Sequence, residues 1–184
     1  MDSRYMRKKE PELVRQALLD NAARIAAKEG FAAVTLQTVA QASNVTKGGL
    51  IHHFASKQAL VEGMFLDQLR RFEMEIENFL AYDKVAYGRF TRAYVSALFD
   101  KDRFGAGSAW TAMAATVTAD RSMRAVWSQW MARRLKQHSE TDSDAMLETV
   151  RLAADGAWFN YLLEDCTDEE LASLKQKLAG LTMP

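Results

Sequence analysis

The spacing of apolar side chains predicts helices throughout the chain. Between residues 12 and 29, Leu, Ala and Ile recur every three or four positions, which places them on one face of a helix. Pro11 suits the first turn of that helix, where a missing N–H costs no hydrogen bond, and Gly30 can adopt the left-handed conformation that ends it. The same periodicity continues toward the C-terminus, and no segment has the pattern of a strand.

The pattern predicts about nine helices, and therefore an all-α fold. After the first, they cover approximately residues 35–42, 47–54, 56–79, 84–99, 108–118, 120–138, 144–163 and 168–178. Thr35 and Thr46 stand where a hydroxyl can accept a hydrogen bond from the first turn of the following helix. Thr167 and Glu170 have the spacing of a capping box, and Gly180 is expected to close that last helix.

Residues 34–60 carry the most specific arrangement in the chain. Two short helices are joined by a tight turn at residues 43–45, and the second begins with Thr46-Lys-Gly-Gly49. In helix-turn-helix proteins the second helix enters the major groove of DNA and presents its first residues to base edges. Small residues there allow a close backbone approach, while hydroxyls, amines and first-turn N–H groups contact phosphates.

This segment resembles the N-terminal domain of the TetR family of transcriptional repressors. The matching residues are Thr35-Leu-Gln-Thr-Val-Ala40, Asn44-Val-Thr-Lys-Gly-Gly-Leu-Ile-His-His-Phe54 and Ser56-Lys-Gln-Ala-Leu60, and Ala154-Asp-Gly-Ala-Trp158 resembles a stretch of some family members. The resemblance implies an N-terminal three-helix DNA-binding domain, residues 1–57, and a larger helical ligand-sensing and dimerisation domain, residues 58–184.

By position, the resemblance also implies which residues face DNA. They are Gln37, Thr46, Lys47, Gly48, Gly49, Ile51, His52, His53 and Lys57. Asn44 stands where the turn usually has Gly, and Asn tolerates the same positive φ. Gly49 replaces the usual Thr and Ile51 the usual Tyr, so two hydroxyls are missing, and Ile51 offers an apolar contact such as a thymine methyl. These departures affect which operator sequence the protein recognises.

Charge is distributed unevenly along the chain. The whole sequence has 24 basic and 24 acidic residues, but residues 1–57 hold nine Lys or Arg against five acids. A basic N-terminal region favours an anionic partner such as double-stranded DNA. Arg4, Arg7, Lys8 and Lys9 are candidates for an arm that follows the DNA backbone or the minor groove.

Composition excludes several other classes of protein. With 48% hydrophobic residues, 2 Pro and 9 Gly, the chain is neither disordered nor a turn-rich β protein. Its longest uncharged stretch, residues 104–119, is too short to span a membrane, and no apolar segment follows the basic N-terminus as in a signal peptide. We therefore expect a cytoplasmic protein without a membrane partner.

Metal and catalytic sites find little support in the sequence. Cys166 is the single cysteine, and the neighbours His52 and His53 point about 100° apart on a helix with no third ligand at the right spacing. No paired catalytic motif is present, so we expect neither enzymatic activity nor a cofactor.

The resemblance implies a homodimer whose C-terminal helices sense an unidentified small molecule. Dimerisation also agrees with the few contacts that one helix-turn-helix makes. The candidate dimer residues are Leu147, Val150, Ala154, Trp158 and Leu162. The candidate pocket residues are Phe90, Tyr94, Trp110, Met113, Trp127, Met131 and Trp158. Their aromatic surface favours an apolar or cationic ligand, and packing in the protomer's own core is the alternative role for each of them.

The expected function is that of a repressor which an effector releases from its operator by shifting the helix that begins near Ser56. The alternatives within the same class are an activator and a DNA-binding protein whose sensor domain binds a protein partner. A helical scaffold or small-molecule carrier with a non-functional DNA reader is the alternative from another class.

Overall fold

The computed structural model describes residues 3–105, 107–163 and 167–184, and Cys166 lies outside them. Within these ranges the regular structure is helical without strands, which confirms the all-α fold. The α-helices span Ser3–Glu29 (α1), Leu36–Ala42 (α2), Lys47–His53 (α3), Lys57–Tyr82 (α4), Arg89–Leu98 (α5), Lys101–Phe104 (α6), Ala109–Ala119 (α7), Arg121–Gln137 (α8), Ser139–Asp142 (α9), Ala145–Leu162 (α10) and Asp168–Gly180 (α11), and Phe31–Ala33 is a 3-10 helix. None of the described helices has the length and apolar character needed to cross a bilayer.

Several predicted helix ends are confirmed by the hydrogen bonds that define them. The hydroxyl of Thr35 accepts from the backbone N–H of Thr38, and that of Thr46 accepts from Gly49. Thr167 and Glu170 form the predicted capping box at α11. These caps depend on residues three positions apart in the chain, which explains why the sequence reveals them.

Other predicted helix ends were wrong. Helix α1 begins at Ser3, so Pro11 lies inside the helix instead of in its first turn. Gly30 has a positive φ of 82° but a ψ of 160°, which is outside the left-handed helical region. Gly180 is the last residue of α11 and not a cap beyond it. The fifth helix starts at Arg89, after a loop, instead of at residue 84.

Two segments predicted as loops contain short helices, which raises the number from about nine to eleven among the described residues. The carboxylate of Asp100 accepts from the backbone N–H groups of Asp102 and Arg103 and so caps α6. Helix α9 follows α8 directly after His138. A single turn is too short to show apolar periodicity, so the pattern gives no indication of either helix.

The chain forms two compact units, residues 1–68 and 69–184, and α4 contributes to both. The predicted boundary after residue 57 falls at the start of α4. The first turns of α4 belong to the first unit because Leu60, Val61 and Met64 are buried there. The core of the first unit also contains Leu18 and Val39.

Helix α5 is the central element of the second unit. Seven of its ten residues are buried, and it packs against α6, α9, α10 and α11. It begins after Gly88, whose φ is 69°. A Cβ at this position would lie 2.7 Å from the carbonyl oxygen of Thr182, so both the backbone conformation and the close approach of the C-terminal segment favour glycine here.

A carboxylate from another helix caps α5. Because Gly88 has no side chain, the first N–H groups of α5 bind Asp142 of α9, from Phe90 at 3.2 Å and from Thr91 at 2.8 Å. The Thr91 hydroxyl also donates to Asp142 at 2.6 Å and accepts from Arg151 of α10 at 2.6 Å. Asp142 is 2% exposed, so its negative charge lies in the core at the positive end of α5. This network joins three helices.

We predict that Asp142→Ala destabilises the protein by about 2–4 kcal/mol, because it leaves buried backbone and hydroxyl donors without an acceptor. Asp142→Asn should cost less, since its amide oxygen can still accept. Urea unfolding followed by circular dichroism measures the change. Glu140→Gln, at an exposed position of the same short helix, is the control. An unfolding free energy for Asp142→Ala equal to that of the control would contradict this account.

Candidate functional site

Helix α3 buries only one of its side chains. Of its seven described residues, Leu50 alone is buried, at 0% exposure. The remaining residues of the helix are exposed, except His53, which is half-buried. Ile51, a large apolar residue, is 43% exposed. The helix therefore presents almost its whole circumference for contact with another molecule.

The turn that precedes α3 has the predicted geometry. Asn44 has a φ of 53°, which confirms that it takes the conformation usual for Gly at this place. The backbone N–H of Val45 donates to the carbonyl of Ala40 at 3.0 Å and closes the turn. Asn21 of α1 donates from its side-chain amide to the hydroxyl of Ser43 at 3.1 Å. The turn is thus held from both sides.

The C-terminal end of α3 is held by a cation from α1. The Arg15 guanidinium donates to the carbonyl of His53 at 3.0 Å and lies 4.1 Å from the centroid of the Phe54 ring. A positive charge at this end of a helix is favourable, and the aromatic face adds a cation–π contact. Burial, the neighbouring His52 and Arg15 all lower the pKa of His53, so its imidazole is neutral at pH 7.

All nine residues predicted to face DNA lie in the first unit, and eight of them are exposed. Gln37 is on α2, Thr46 caps α3, and Lys57 begins α4. The basic residues from Arg4 to Lys9, the candidates for an arm along the DNA, have helical backbone within α1. Among the described residues, no group of three His, Cys, Asp or Glu is arranged to hold a metal ion.

Gly63 of α4 is a positioning residue that the sequence did not reveal. A Cβ built on it would lie 2.7 Å from Cε1 of Phe54 and 3.4 Å from a methyl carbon of Leu19. The absence of a side chain at Gly63 therefore allows Phe54, the residue directly after α3, to reach the core. Nothing in the spacing around Gly63 distinguishes it from an ordinary helical glycine.

The second unit contains a cluster of aromatic rings centred on Phe72 of α4. We call the following residues the aromatic cluster: Phe72, Tyr94, Phe104, Trp110, Trp127 and Trp130. The Phe72 centroid lies 5.0 Å from that of Trp110, in a stacked arrangement, and 5.6 Å from that of Tyr94. The rings come from α4, α5, α6, α7 and α8. Phe72 was not among the predicted pocket residues, because α4 was interpreted as a connecting helix.

The predicted pocket residues are only partly brought together. Tyr94, Trp110 and Trp127 belong to the aromatic cluster. The Phe90 ring stacks on His138 with centroids 4.9 Å apart and lies 6.3 Å from the Tyr94 ring. Phe90, Tyr94 and Met113 are buried, and Trp110, Trp127, Met131 and Trp158 are half-buried. Trp158 donates from its indole nitrogen to the carbonyl of Phe104 at 3.0 Å, which connects α10 to the cluster.

A second polar connection between α10 and the cluster is made by Asp155. Its carboxylate accepts a hydrogen bond from the hydroxyl of Tyr94. Burial is the main reason that the pKa of Asp155 is raised, and burial together with the nearby Asp155 charge raises the pKa of Tyr94 well above its usual value. Burial lowers the pKa of Arg151 on the same helix.

The predicted dimer residues lie on the inner side of α10. Leu147, Val150 and Ala154 are buried in the protomer itself, with exposures of 1% or less, so they have no surface to offer to a second chain. Trp158 and Leu162 are half-buried. The large apolar residues that α10 does expose are others: Met146 at 48%, Leu152 at 66%, Phe159 at 54% and, directly after the helix, Leu163 at 55%.

An exposed recognition helix after a tight turn, on a helical unit followed by a second helical unit with an aromatic interior, defines a helix-turn-helix DNA-binding regulator. Comparison with known families agrees. The model of "Bacterial regulatory proteins, tetR family" matches residues 18–64, and that of "Tetracyclin repressor-like, C-terminal domain" matches residues 88–183. The chain belongs to the TetR family of transcriptional regulators.

Individual relatives show the same likeness. The HTH-type transcriptional repressor KstR2 of Rhodococcus jostii is 38% identical over 87 residues, which cover 46% of this chain and 39% of that protein. A TetR-family regulator from Rhodococcus sp. has a TM-score of 0.74 at 16% identity, over 93% of this chain and 99% of the other. The multidrug binding protein EbrR, complexed with imidazole, has a TM-score of 0.70 at 20% identity, over 92% and 94%.

We predict that Gly63→Ala destabilises the protein by about 1–3 kcal/mol, because Phe54 must move to make room for the new methyl group. The clash outweighs the gain in helix propensity, which is at most about 1 kcal/mol. Gly48→Ala is the matched control, since its Cβ would meet only the Thr46 hydroxyl, at 3.9 Å. Urea unfolding compares the two variants. Equal or greater stability of Gly63→Ala would show that the contact with Phe54 is unimportant.

Proposed function

We propose that this protein is a dimeric repressor that binds operator DNA through α3 and is released by a small apolar or cationic effector. The observation that carries the proposal is that Leu50 is the one buried residue of α3, which leaves most of a well-capped helix exposed. The matching segment of KstR2, which is named a repressor, supports the assignment. The chain acts by binding, and no catalytic step is proposed.

The DNA contacts follow from the chemistry that α3 and its neighbours expose. Lys47 and Lys57 are exposed cations suited to phosphates. Ile51, more than two fifths exposed, is suited to apolar contact with a base edge, such as a thymine methyl. Gly48 and Gly49 keep the backbone of α3 accessible to the DNA. Gln37, Thr46, His52 and His53 complete the proposed surface, with His53 acting as a neutral group.

The effector is proposed to bind at the aromatic cluster of the second unit. EbrR is named a multidrug binding protein, and its structures include complexes with malachite green and with ethidium, which are aromatic cations. Helix α4 contains Phe72 in the second unit and Gly63 in the first, so a shift of this helix is the proposed coupling. The effector must favour the released state by about 1–3 kcal/mol or more to be useful.

We predict that Lys47→Glu weakens operator binding at least about tenfold, because a favourable phosphate contact becomes repulsive. Fluorescence anisotropy with the promoter DNA beside the protein's own gene, at two salt concentrations, measures the effect. The control is Lys28→Glu, the same charge reversal at an exposed position at the end of α1. The wild type should prefer this DNA over random DNA and lose affinity as salt rises. The proposal fails if Lys47→Glu and Lys28→Glu bind alike, or if the wild type does not bind DNA at all.

The dimer is proposed to form through the exposed apolar side of α10. Leu152, Gly156, Phe159 and Leu163 follow one another at intervals of four, three and four residues, so they lie on one face of the helix. Exposed apolar side chains that form a continuous stripe indicate an interaction surface. This proposal replaces the buried residues Leu147, Val150 and Ala154 by the opposite face of the same helix.

We predict that Gly156→Arg yields monomers and weakens operator binding. Beyond the local backbone of the helix, no atom of the described residues lies within 4 Å of a Cβ built on Gly156. The protomer therefore has room for the side chain, whereas a second copy against this face would not. Gly156→Ala is the control and should remain dimeric. Light scattering coupled to size-exclusion chromatography gives the mass of each variant. A dimer mass for Gly156→Arg would exclude this face.

A further inference from the structure

Asp155 is a carboxylate that lies against the aromatic cluster without an ion-pair partner. It is half-buried on α10, and its hydrogen-bond donor is the neutral hydroxyl of Tyr94. Arg151, one turn earlier on α10, donates instead to the Thr91 hydroxyl at 2.6 Å. No described Lys, Arg or His side chain forms an ion pair with Asp155. The Arg151 guanidinium attracts the Asp155 carboxylate through space, without a hydrogen bond or an ion-pair contact between them. A partly buried carboxylate whose nearest positive charge is not in contact with it is stabilised further by a bound cation.

The hydrogen-bond partner of Asp155 belongs to the aromatic cluster. Tyr94, its hydrogen-bond partner, packs against Phe72. Trp158, three residues further along α10, binds the carbonyl of Phe104, and the Phe104 ring lies 5.1 Å from that of Phe72. Aromatic faces attract organic cations, most strongly where water is excluded. The structure thus combines a negative charge with the faces that a cation prefers.

The aromatic cluster also contains a buried hydrogen-bond donor, the indole N–H of Trp130. Trp130 is 4% exposed, and its indole N–H has no acceptor among the described residues. Its ring lies 5.8 Å from that of Phe72 and 5.1 Å from that of Trp127. Buried donors are nearly always paired, so this N–H is available to an acceptor on a bound molecule.

We propose that the effector is an organic monocation whose charge is balanced by Asp155 and whose apolar body lies against the aromatic cluster. An acceptor on the same ligand can bind the Trp130 N–H. This inference rests on the proposed function and narrows its effector from "apolar or cationic" to cationic. A cation in contact with Asp155 would add to the attraction from Arg151, whereas an anion would be repelled by the carboxylate and a neutral ligand would gain nothing from its charge.

Tetraphenylphosphonium and tetraphenylborate are suitable probes because they share one shape and carry opposite charges. All 4 tryptophans of the chain are Trp110, Trp127, Trp130 and Trp158, so intrinsic fluorescence reports on this region directly. We expect the wild type to bind the phosphonium at least about tenfold more tightly than the borate. Asp155→Asn should weaken phosphonium binding at least about tenfold and reduce the difference between the two probes.

Three variants distinguish the effect of the Asp155 charge on binding from an effect of altered structure. Asp155→Asn retains an oxygen that can accept from Tyr94, and circular dichroism checks that it folds. Glu148→Gln removes the same charge from an exposed position of α10 and should bind the phosphonium as the wild type does. Tyr94→Phe removes the hydroxyl but keeps the carboxylate and should retain the preference for the cation. The inference is overturned if the wild type binds both probes equally or neither of them, or if Asp155→Asn behaves like Glu148→Gln.

Operator binding by the free protein, measured in parallel, distinguishes this inference from the proposed function. If the protein binds its operator and a neutral compound releases it while the phosphonium does not bind, the repressor assignment stands and the cationic effector is wrong. If the protein does not bind operator DNA, the repressor assignment fails whatever the fluorescence shows.

Discussion

The recognition helix α3 has to be exposed in order to read DNA, and this requirement determines how the first unit is built. An isolated helix of seven residues is unstable in water, because nucleation costs more than so few hydrogen bonds return. A helix of this length therefore needs support at its ends and along one line of contact. Thr46 caps the start, Arg15 binds the last carbonyl, and Leu50 is the one buried contact between them. Phe54, directly after α3, lies under the Arg15 guanidinium of α1 and beside Gly63 of α4.

In the second unit, the main constraint is that buried carboxylates need groups that stabilise their negative charge. Asp142 and Asp155 are both carboxylates at the packing surface of α5, but they are satisfied differently. Asp142 accepts hydrogen bonds from two backbone N–H groups and a hydroxyl of α5, at the positive end of the helix, so its charge is stabilised within the protomer. Among the described residues, the Tyr94 hydroxyl is the one hydrogen-bond donor to Asp155, and Arg151 attracts its carboxylate through space. This contrast separates a carboxylate whose role is structural from one that is suited to a ligand.

The sequence predicts those features of the fold that depend on near neighbours in the chain. The caps at Thr35 and Thr46 and the positive φ at Asn44 each involve residues within a few positions, and all were identified in advance. The cap that Asp142 provides for α5 joins residues 51 positions apart, and the contact that Gly63 permits to Phe54 also depends on tertiary packing. Neither leaves a periodic signal. The family resemblance identifies the helix-turn-helix domain for a similar reason, since its motif is continuous in the chain.

Helix α10 shows a different limit of prediction from sequence, because it has two apolar faces. Periodicity identified one of them, with Leu147 and Val150, and this face is buried in the protomer. The other, with Leu152 and Phe159, is exposed. A hydrophobic pattern indicates burial but not the partner that provides it, so only the three-dimensional arrangement distinguishes core from contact surface. The same limit applies to Phe72, whose position on α4 fits an ordinary core residue equally well.

The composition of α3 makes dimerisation important for the proposed repressor. Where family members usually have Thr and Tyr, this chain has Gly49 and Ile51, so α3 offers fewer hydrogen bonds to DNA. The lowered pKa of His53 disfavours a positive charge on its imidazole, and Lys47 is the one lysine or arginine of α3. A single reader with so few phosphate and base contacts gives weak, salt-sensitive binding. Two linked readers make the second contact effectively intramolecular and recover affinity without further contacts on either helix. A dimer formed through the apolar face of α10, as we propose, would therefore compensate for the few DNA contacts that one copy of α3 can make.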